Sequence, residues 1–295
     1  MRDIFIEIWE NMRRNKLRTC LTGFAVAWGI FMLIVLLGSG NGLLNSFRAG
    51  ASTINTNTMQ IGGGFTSKPY GGLKAGRSIM LDDRDMAITG GDLFSDHVDE
   101  VSATVSSSAT VVYGANSFSG SIVGDYPEHQ DMEKIVILDG RFINRKDIRD
   151  RRKVVVIPQD RAEDLLDGRP AAELVGKRVT IKGLSFLVVG ISKTDMMSGS
   201  NIFYAPFSTV RTIFSKGNTL DDITFTFHGL DTEEDNAEFE RSYKAAVNLS
   251  HGAAPDDESA IWIWNRFTSN LQMEKGGRII SIAMWIIGLF TLLSG

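Results

Sequence analysis

Residues 19–47 read TCLTGFAVAWGIFMLIVLLGSGNGLLNSF, without one charged side chain. The apolar core is Leu21–Leu37. With its uncharged flanks it reaches the roughly 20 residues that a helix needs to cross about 30 Å of hydrocarbon. A secretory signal is the rival reading. Its apolar stretch would be shorter, about 7–15 residues, and would lead to a small-residue cleavage site. Here the stretch is longer, and Gly38-Ser39-Gly40-Asn41-Gly42 supplies small residues without an A-x-A pattern. The run is read as an uncleaved membrane anchor.

The flanks orient it. Arg13, Arg14, Lys16 and Arg18 precede the run, and only Arg48 follows closely. Basic residues within about 15–20 positions of a span stay in the cytoplasm. The expected topology therefore has a cytoplasmic N-terminus, with everything from about residue 45 translocated. Residues 1–16 read as an amphipathic helix, with Ile4, Phe5, Ile8, Trp9 and Met12 on one face. Such a helix lies along the inner membrane surface or extends the span into the cytoplasm. Gly23 with Ala27, and Ala25 with Gly29, are small-xxx-small pairs that let a second helix approach.

Most of the 295 residues lie beyond the anchor. Past residue 18 the chain carries 26 basic and 32 acidic side chains, a net charge of −6. That balance gives no support for nucleic-acid binding. The single cysteine, Cys20, sits at the start of the span, so no disulfide can staple the translocated part. A region of about 230 residues can be stable through its core alone.

Partial apolar alternation marks strands over 53–61 and 98–113. Between them Asp82, Asp83 and Asp85 open a short helix and Gly90-Gly91 closes it. The glycine-rich stretch 62–76 reads as a mobile loop. Near the other end, Ile223–Phe227 is a strand and Thr232 with Asp235 starts a helix. Phe239, Tyr243 and Val247 share one face of that helix, and Ile261-Trp262-Ile263-Trp264 is a further strand. Two βαβ-like units of this kind imply a sheet packed on helices. The middle is β-rich: a buried strand at Val154–Ile157, a hairpin turning at Lys182-Gly183, and Pro206 opening a helix that Gly217 ends. From about 128 to 206 it is expected to form an inserted lobe. A second uncharged run, Ile279–Gly295, spans only about 25 Å as a helix. It is expected to be the start of a second span in a longer protein, preceded by Gly276 and Gly277.

No catalytic pattern is present. His97, His129, His228 and His251 have no metal-ligand spacing and read as surface or loop residues. There is no G-x-S-x-G and no G-x-x-x-x-G-K-[ST]. Asp82-Asp83-Asp85 and Glu233-Glu234-Asp235 stand at helix starts, where the helix dipole favours negative charge. No cofactor and no enzymatic activity are assigned to this chain.

Several stretches, in order, resemble the permeases of MacB/FtsX-type ABC transporters. They are Asn15-Lys16-Leu17-Arg18-Thr19, Trp28-Gly29-Ile30-Phe31-Met32, Gly38-Ser39-Gly40-Asn41-Gly42-Leu43, Leu138-Asp139-Gly140-Arg141-Phe142-Ile143-Asn144 with Asp147, Phe186-Leu187-Val188-Val189-Gly190 and Phe203-Tyr204-Ala205-Pro206-Phe207. The resemblance implies a membrane-anchored α+β protein of the inner membrane. Transmembrane helices would flank a two-lobed extracytoplasmic domain: cytoplasmic helix 1–18, span and stalk 19–44, core domain 45–275, second span from 276. It implies a separate cytoplasmic P-loop ATPase and a second permease copy or paralogue as partners, with a periplasmic adaptor and an outer-membrane channel beyond. Gly38, Gly40, Gly42, Gly276 and Gly277 would then be flexing points of the stalks. A two-span sensor receptor with an extracytoplasmic ligand-binding domain is the alternative that topology alone fits equally well.

Overall fold

The anchor run forms one uninterrupted helix, α1 (Lys16–Ser52). The computed structural model describes residues 16–52, 55–194 and 201–294. Most of the expected N-terminal amphipathic helix, with Arg13 and Arg14, lies outside the described residues. In chain order there follow β1 (Thr58–Gly63), β2 (Leu81–Asp82), α2 (Asp83–Thr89), β3 (Val98–Tyr113), β4 (Asn116–Asp125), α3 (His129–Met132) and β5 (Ile137–Gly140). Next come α4 (Arg145–Arg149), β6 (Val154–Pro158), α5 (Gln159–Leu165), β7 (Arg178–Ile181), β8 (Leu184–Ser192), β9 (Ile202–Pro206) and α6 (Phe207–Ile213). The last elements are β10 (Thr219–Leu220), β11 (Asp222–Phe227), α7 (Glu233–Ser250), β12 (Ile261–Asn265) and α8 (Arg266–Ser294). Two units result: residues 1–52 with 270–295, and residues 53–269.

In the first unit, α1 continues past the expected stalk end at Leu44. Its glycines do not stop it, because an unbroken helix satisfies its backbone groups internally. Two glycines set a close antiparallel approach to the last part of α8. A Cβ at Gly40 would fall on the Met284 side chain, and one at Gly288 on the Leu33 side chain. Met284 is buried by that approach.

In the second unit, one ten-stranded sheet runs in the order β12-β1-β11-β3-β4-β9-β6-β8-β5, with β7 pairing with β3 and β8. The β1–α2–β3 and β11–α7–β12 segments interlock. β11 is antiparallel to both β1 and β3, and β1 is antiparallel to both β11 and β12. Each βαβ unit thus holds one strand of the other between its own two, the split βαβ arrangement. Helix α7 follows from its sequence. The Thr232 hydroxyl accepts the Asp235 N–H at 3.1 Å, and three acidic residues fill the first turn. Phe239, Tyr243 and Val247 are then buried at four-residue steps, each worth roughly 1.5–3 kcal/mol on leaving water. The Phe239 and Tyr243 rings meet Phe94 and Phe225 at centroid distances of 5.2–6.0 Å.

Residues 114–221 are inserted between the second and third strands of that unit. The join lies inside a strand. The first part of β3 pairs with β11, and its continuation pairs with β4 from Val105 to Tyr113. The expected β-rich middle is nested in this insertion, and the sheet continues through it without a linker. β6 lies between β8 and β9 with all five residues buried, as its unbroken apolar run requires. The β7–β8 hairpin turns at Lys182 (φ 50) and Gly183 (φ 74), the two positive φ values of a tight two-residue turn.

The Leu138–Asn144 stretch has a structural explanation. Gly140 has φ 77, and a Cβ there would collide with the Val189 carbonyl oxygen. Arg141 donates to the fully buried Asp147 carboxylate at 2.6 and 3.2 Å. Asn144 and Asp147 form a reciprocal capping box that starts α4. Phe142 and Ile143 pack with Val154, Val156 and Val189 in a small separate core.

The loop 62–76 is pinned, against the expectation of mobility. The buried Asp257 carboxylate accepts Ser67 N–H and Ser67 Oγ–H, each at 2.7 Å, and Lys68 N–H at 3.1 Å. Arg77 of the following segment donates to the Gly252 carbonyl at 2.7 Å.

Candidate functional site

The last strand of the second unit turns directly into α8, and the turn is fastened on three sides. The Asn265 side-chain oxygen accepts the N–H groups of Phe267 and Thr268 at 3.0 and 3.2 Å, capping the helix. The same side chain donates to Asn236 at 2.7 Å and Glu240 at 2.8 Å of α7. Arg266, 6% exposed, pairs with Glu133 and reaches the Met132 carbonyl at 3.4 Å. Its guanidinium lies 5.0 Å from the Trp264 ring centroid. An arginine buried this deeply is stable only because a carboxylate, a carbonyl and an aromatic face replace its water.

Arg266 meets the 126–135 segment, which covers a polar face of the sheet. Ser102, Thr104, Asp125, Asp222 and Thr224 are buried there. Asp125 Oδ1 accepts Tyr126 N–H at 2.8 Å and Ser102 Oγ–H at 3.4 Å, and Oδ2 lies 3.6 Å from His129 Nε2. Thr104 donates to Asp222 at 2.6 Å. Burial pushes the Asp125 carboxyl well above the usual carboxylate range, with the charges of Asp222 and Glu133 adding to the rise. Burial likewise raises Asp222. Burial lowers His129 to about 4; Glu133 opposes that shift and Arg266 reinforces it. Asp125 Oδ2, His129 Nδ1, Asp222 Oδ1, Thr224 Oγ1 and Arg266 Nε are all buried without a hydrogen-bond partner. Two carboxyls raised by burial and a lowered imidazole thus lie next to the segment that Arg266 meets. Among the described residues no group of His, Cys, Asp and Glu has metal-binding geometry.

One histidine departs from the surface-or-loop reading: His129 is 7% exposed within α3. His251 lies in the turn after α7, its ring facing the buried Asp85 carboxylate at 2.8 Å. His97 and His228 do lie at the surface, their rings 6.5 Å apart. The acidic helix starts serve as expected: Asp82 and Asp85 form a capping box on α2.

The residues singled out by sequence are spread along the helices of the first unit. Lys16 is exposed at the start of α1, and Arg18 lies in its first turns. Gly23 and Ala27 are exposed, and a Cβ on Gly23 would meet nothing within 4 Å. A Cβ on Gly38, Gly42 or Gly276 would likewise meet nothing within 4 Å, while Gly40 faces Met284 and Gly277 is buried. Sequence reasoning missed Asn265, Arg266 and Gly288. An Asn directly after a strand and before a long helix was the available signal for the cap.

Residues 19–246 match the MacB-like periplasmic core domain family. The chain belongs to this family. It is 27% identical over 218 residues to the macrolide export ATP-binding/permease protein MacB 1/2 of Paracoccus denitrificans, covering 72% of this chain and 31% of that protein. It is 24% identical over 285 residues to MacB of Mannheimia succiniciproducens, covering 95% of this chain and 42% of that protein. The chain therefore spans less than half the length of these relatives. The periplasmic region of MacB from Actinobacillus actinomycetemcomitans shares the fold, with a TM-score of 0.58 at 24% identity over 76% of this chain and 95% of that one. So does the extracellular domain of the ABC-type transporter YknZ from Gram-positive bacteria, with a TM-score of 0.55 at 20% identity over 71% and 100%. At the N-terminal end of the MacB-like domain, Thr19–Gly40 is the one described helix long and apolar enough to cross a membrane.

Proposed function

We propose that this chain is the permease region of a MacB/FtsX-type ABC transporter of the inner membrane, coupling ATP hydrolysis in the cytoplasm to motion of its extracytoplasmic domain. The observation that carries the reading is a MacB-like periplasmic core domain whose last strand is locked into α8 through Asn265 and Arg266. A helix fastened in this way passes displacement on to the sheet instead of swivelling. Arg13, Arg14, Lys16 and Arg18 hold the N-terminus in the cytoplasm, and the protein is multi-pass. The nucleotide is hydrolysed by a cytoplasmic P-loop ATPase partner, an activity that the ATP-binding/permease names of the relatives carry. Two permease copies or paralogues pair in the bilayer, with Gly23 and Ala27 open for a neighbouring helix. Gly38, Gly40, Gly42, Gly276 and Gly277 are the compliant points of the stalks, and the domain forms two lobes that meet within β3. A periplasmic adaptor and an outer-membrane channel complete the path for export, and the same motion serves transmembrane signalling.

The test is reconstitution of the full gene product with the P-loop ATPase encoded nearest to it. Co-purification and permease-dependent ATPase activity are expected, with Arg266→Ala lowering the coupled rate several-fold while the complex stays intact. No ATPase association, together with a kinase or methyl-accepting region downstream, would sink the reading in favour of a sensor receptor.

A further inference from the structure

Two strands share one edge of β3 and leave a gap between them. β11 ends there with Asp222 opposite Thr104, and β7 ends with Ile181 opposite Val111. β4 takes the other edge of β3 over residues 105–113. The backbone directions follow from the hydrogen bonds. Asp221 N–H donates to the Thr104 carbonyl at 2.9 Å, and Ser106 N–H donates to Asp221 Oδ2 at 2.6 Å. Even-numbered residues of this part of β3 therefore turn toward β11. Ser108 agrees, because its partner Ser121 gives its own N–H to the Asn201 carbonyl, away from β3. The Ser106 C=O and both backbone groups of Ser108 thus point into the gap, with no strand opposite them among the described residues.

The gap has room, and its two ends carry opposite charges. A cavity of about 780 Å³, the size of a small-ligand site, is lined by Ser107, Ser108, Ala109, Thr110, Lys182 and Phe214 among others. Ser106-Ser107-Ser108-Ala109-Thr110 has no charge, proline or bulge to keep a strand away. At the β11 end Asp221 is exposed, and its Oδ2 accepts both the N–H and the hydroxyl of Ser106 while Oδ1 takes no hydrogen bond. At the β7 end the Lys182 amine is held in place. It donates to the Ile213 carbonyl at 2.9 Å and stands 4.6 Å from the Phe214 ring centroid. Two of its three N–H donors remain over.

We propose that this gap binds a short free peptide, about four residues long, as an added strand parallel to β3. The charges choose the direction. A parallel peptide sets its amine at Asp221 and its carboxylate at Lys182, whereas an antiparallel one sets like charges together at both ends. The register follows from the free groups. The second peptide residue donates to the Ser106 C=O and accepts the Ser108 N–H, and the fourth donates to the Ser108 C=O. The Ser106 N–H is already taken by Asp221, so the strand begins opposite Ser106 and needs no residue before it. Ile181 opposite Val111 limits it at the other end. A longer protein segment lacks the two terminal charges that this slot matches.

The experiment titrates the 295-residue chain in detergent with a free valine-threonine tetrapeptide and reads the heat of binding. Saturable binding is expected. Ser108→Pro removes the N–H that faces the gap and none that faces β4, and is expected to abolish binding. N-methylation of the second or fourth peptide residue should abolish it too, whereas N-methylation of the third, whose N–H faces away, should leave it. Acetylating the amine or amidating the carboxylate should each weaken binding about two- to fivefold, the worth of an exposed charge pair. Asp221→Asn should erase the first loss and Lys182→Gln the second. A free peptide that does not bind overturns the proposal. So does binding that tolerates methylation at the second and fourth residues, since no strand is then added. A doubly blocked peptide that binds as well as the free one also overturns it and assigns the gap to an internal strand of another protein. Should Ser108→Pro fail to fold, the methylated peptides decide on the unaltered chain. None of these readouts involves the ATPase, so their failure leaves the transporter proposal untouched.

Discussion

Asp257 holds Ser67 twice, accepting both its backbone N–H and its hydroxyl at 2.7 Å across 190 residues of sequence. Burial raises the Asp257 carboxyl, but the donors of Ser67, Ser259 and Lys68 outweigh it and leave the group below the usual carboxylate range. Its stabilising contribution is therefore present above the unfolded value near 3.8 and lost as pH falls through the lower folded value. Asp257→Ala is expected to cost about 2–4 kcal/mol, since it strips the partner from several donors. Chemical denaturation should show that loss, and limited proteolysis should find new cuts within 66–76. An unchanged digestion pattern would mean that the loop is held by something else.

The Asp125–His129 pair should give the protein opposing pH limbs. His129 has its folded pKa lowered to about 4, so the unfolded chain takes up the proton first. Stability falls as pH drops from about 6.5 toward 4, by on the order of 3 kcal/mol for this group. Asp125 is raised, so its stabilising neutral form is lost as pH climbs above the unfolded value of 3.8 and through the folded one. His129→Gln should flatten the acid limb and Asp125→Asn the limb at higher pH. Thermal melts from pH 4 to 8 separate the two; identical profiles for wild type and His129→Gln would refute the assignment.

Arg266 is predicted to matter more for stability than any exposed charge. Arg266→Ala leaves Glu133 without its buried partner and should cost about 3–5 kcal/mol, whereas Lys68→Ala, in an exposed and solvent-screened pair with Asp256, should leave stability nearly unchanged. Side-by-side denaturant titrations check this, and equal effects would argue against a buried anchor.

The glycines of α1 should divide by position. Gly38→Ala and Gly42→Ala meet no neighbour and each favours the helix by up to about 1 kcal/mol. Gly40→Leu collides with Met284 and should lower the melting temperature in detergent. If Gly38→Ala and Gly42→Ala together leave coupled ATPase activity unchanged, these two glycines are not flexing points.

Residues 19–47, Thr232 before three acidic residues, the apolar run Val154–Ile157 and the Lys182-Gly183 turn each carried their own structural instruction. Helix caps, apolar period and turn geometry depend on neighbours a few positions away, and those neighbours are written side by side in the chain. The sequence by itself thus determined the anchor helix, the position of most strands and the two βαβ-like units. It did not determine that β1 lies between β11 and β12, or that β3 carries two sets of partners. Nor did it place Asp85 beside His251, 166 residues away, or Glu133 beside Arg266, 133 residues away. Those placements follow from which strand edges meet once the sheet closes. Burial then decides whether a given aspartate or histidine is a surface charge or a neutral group in the core, a property of the assembled fold that no local stretch encodes.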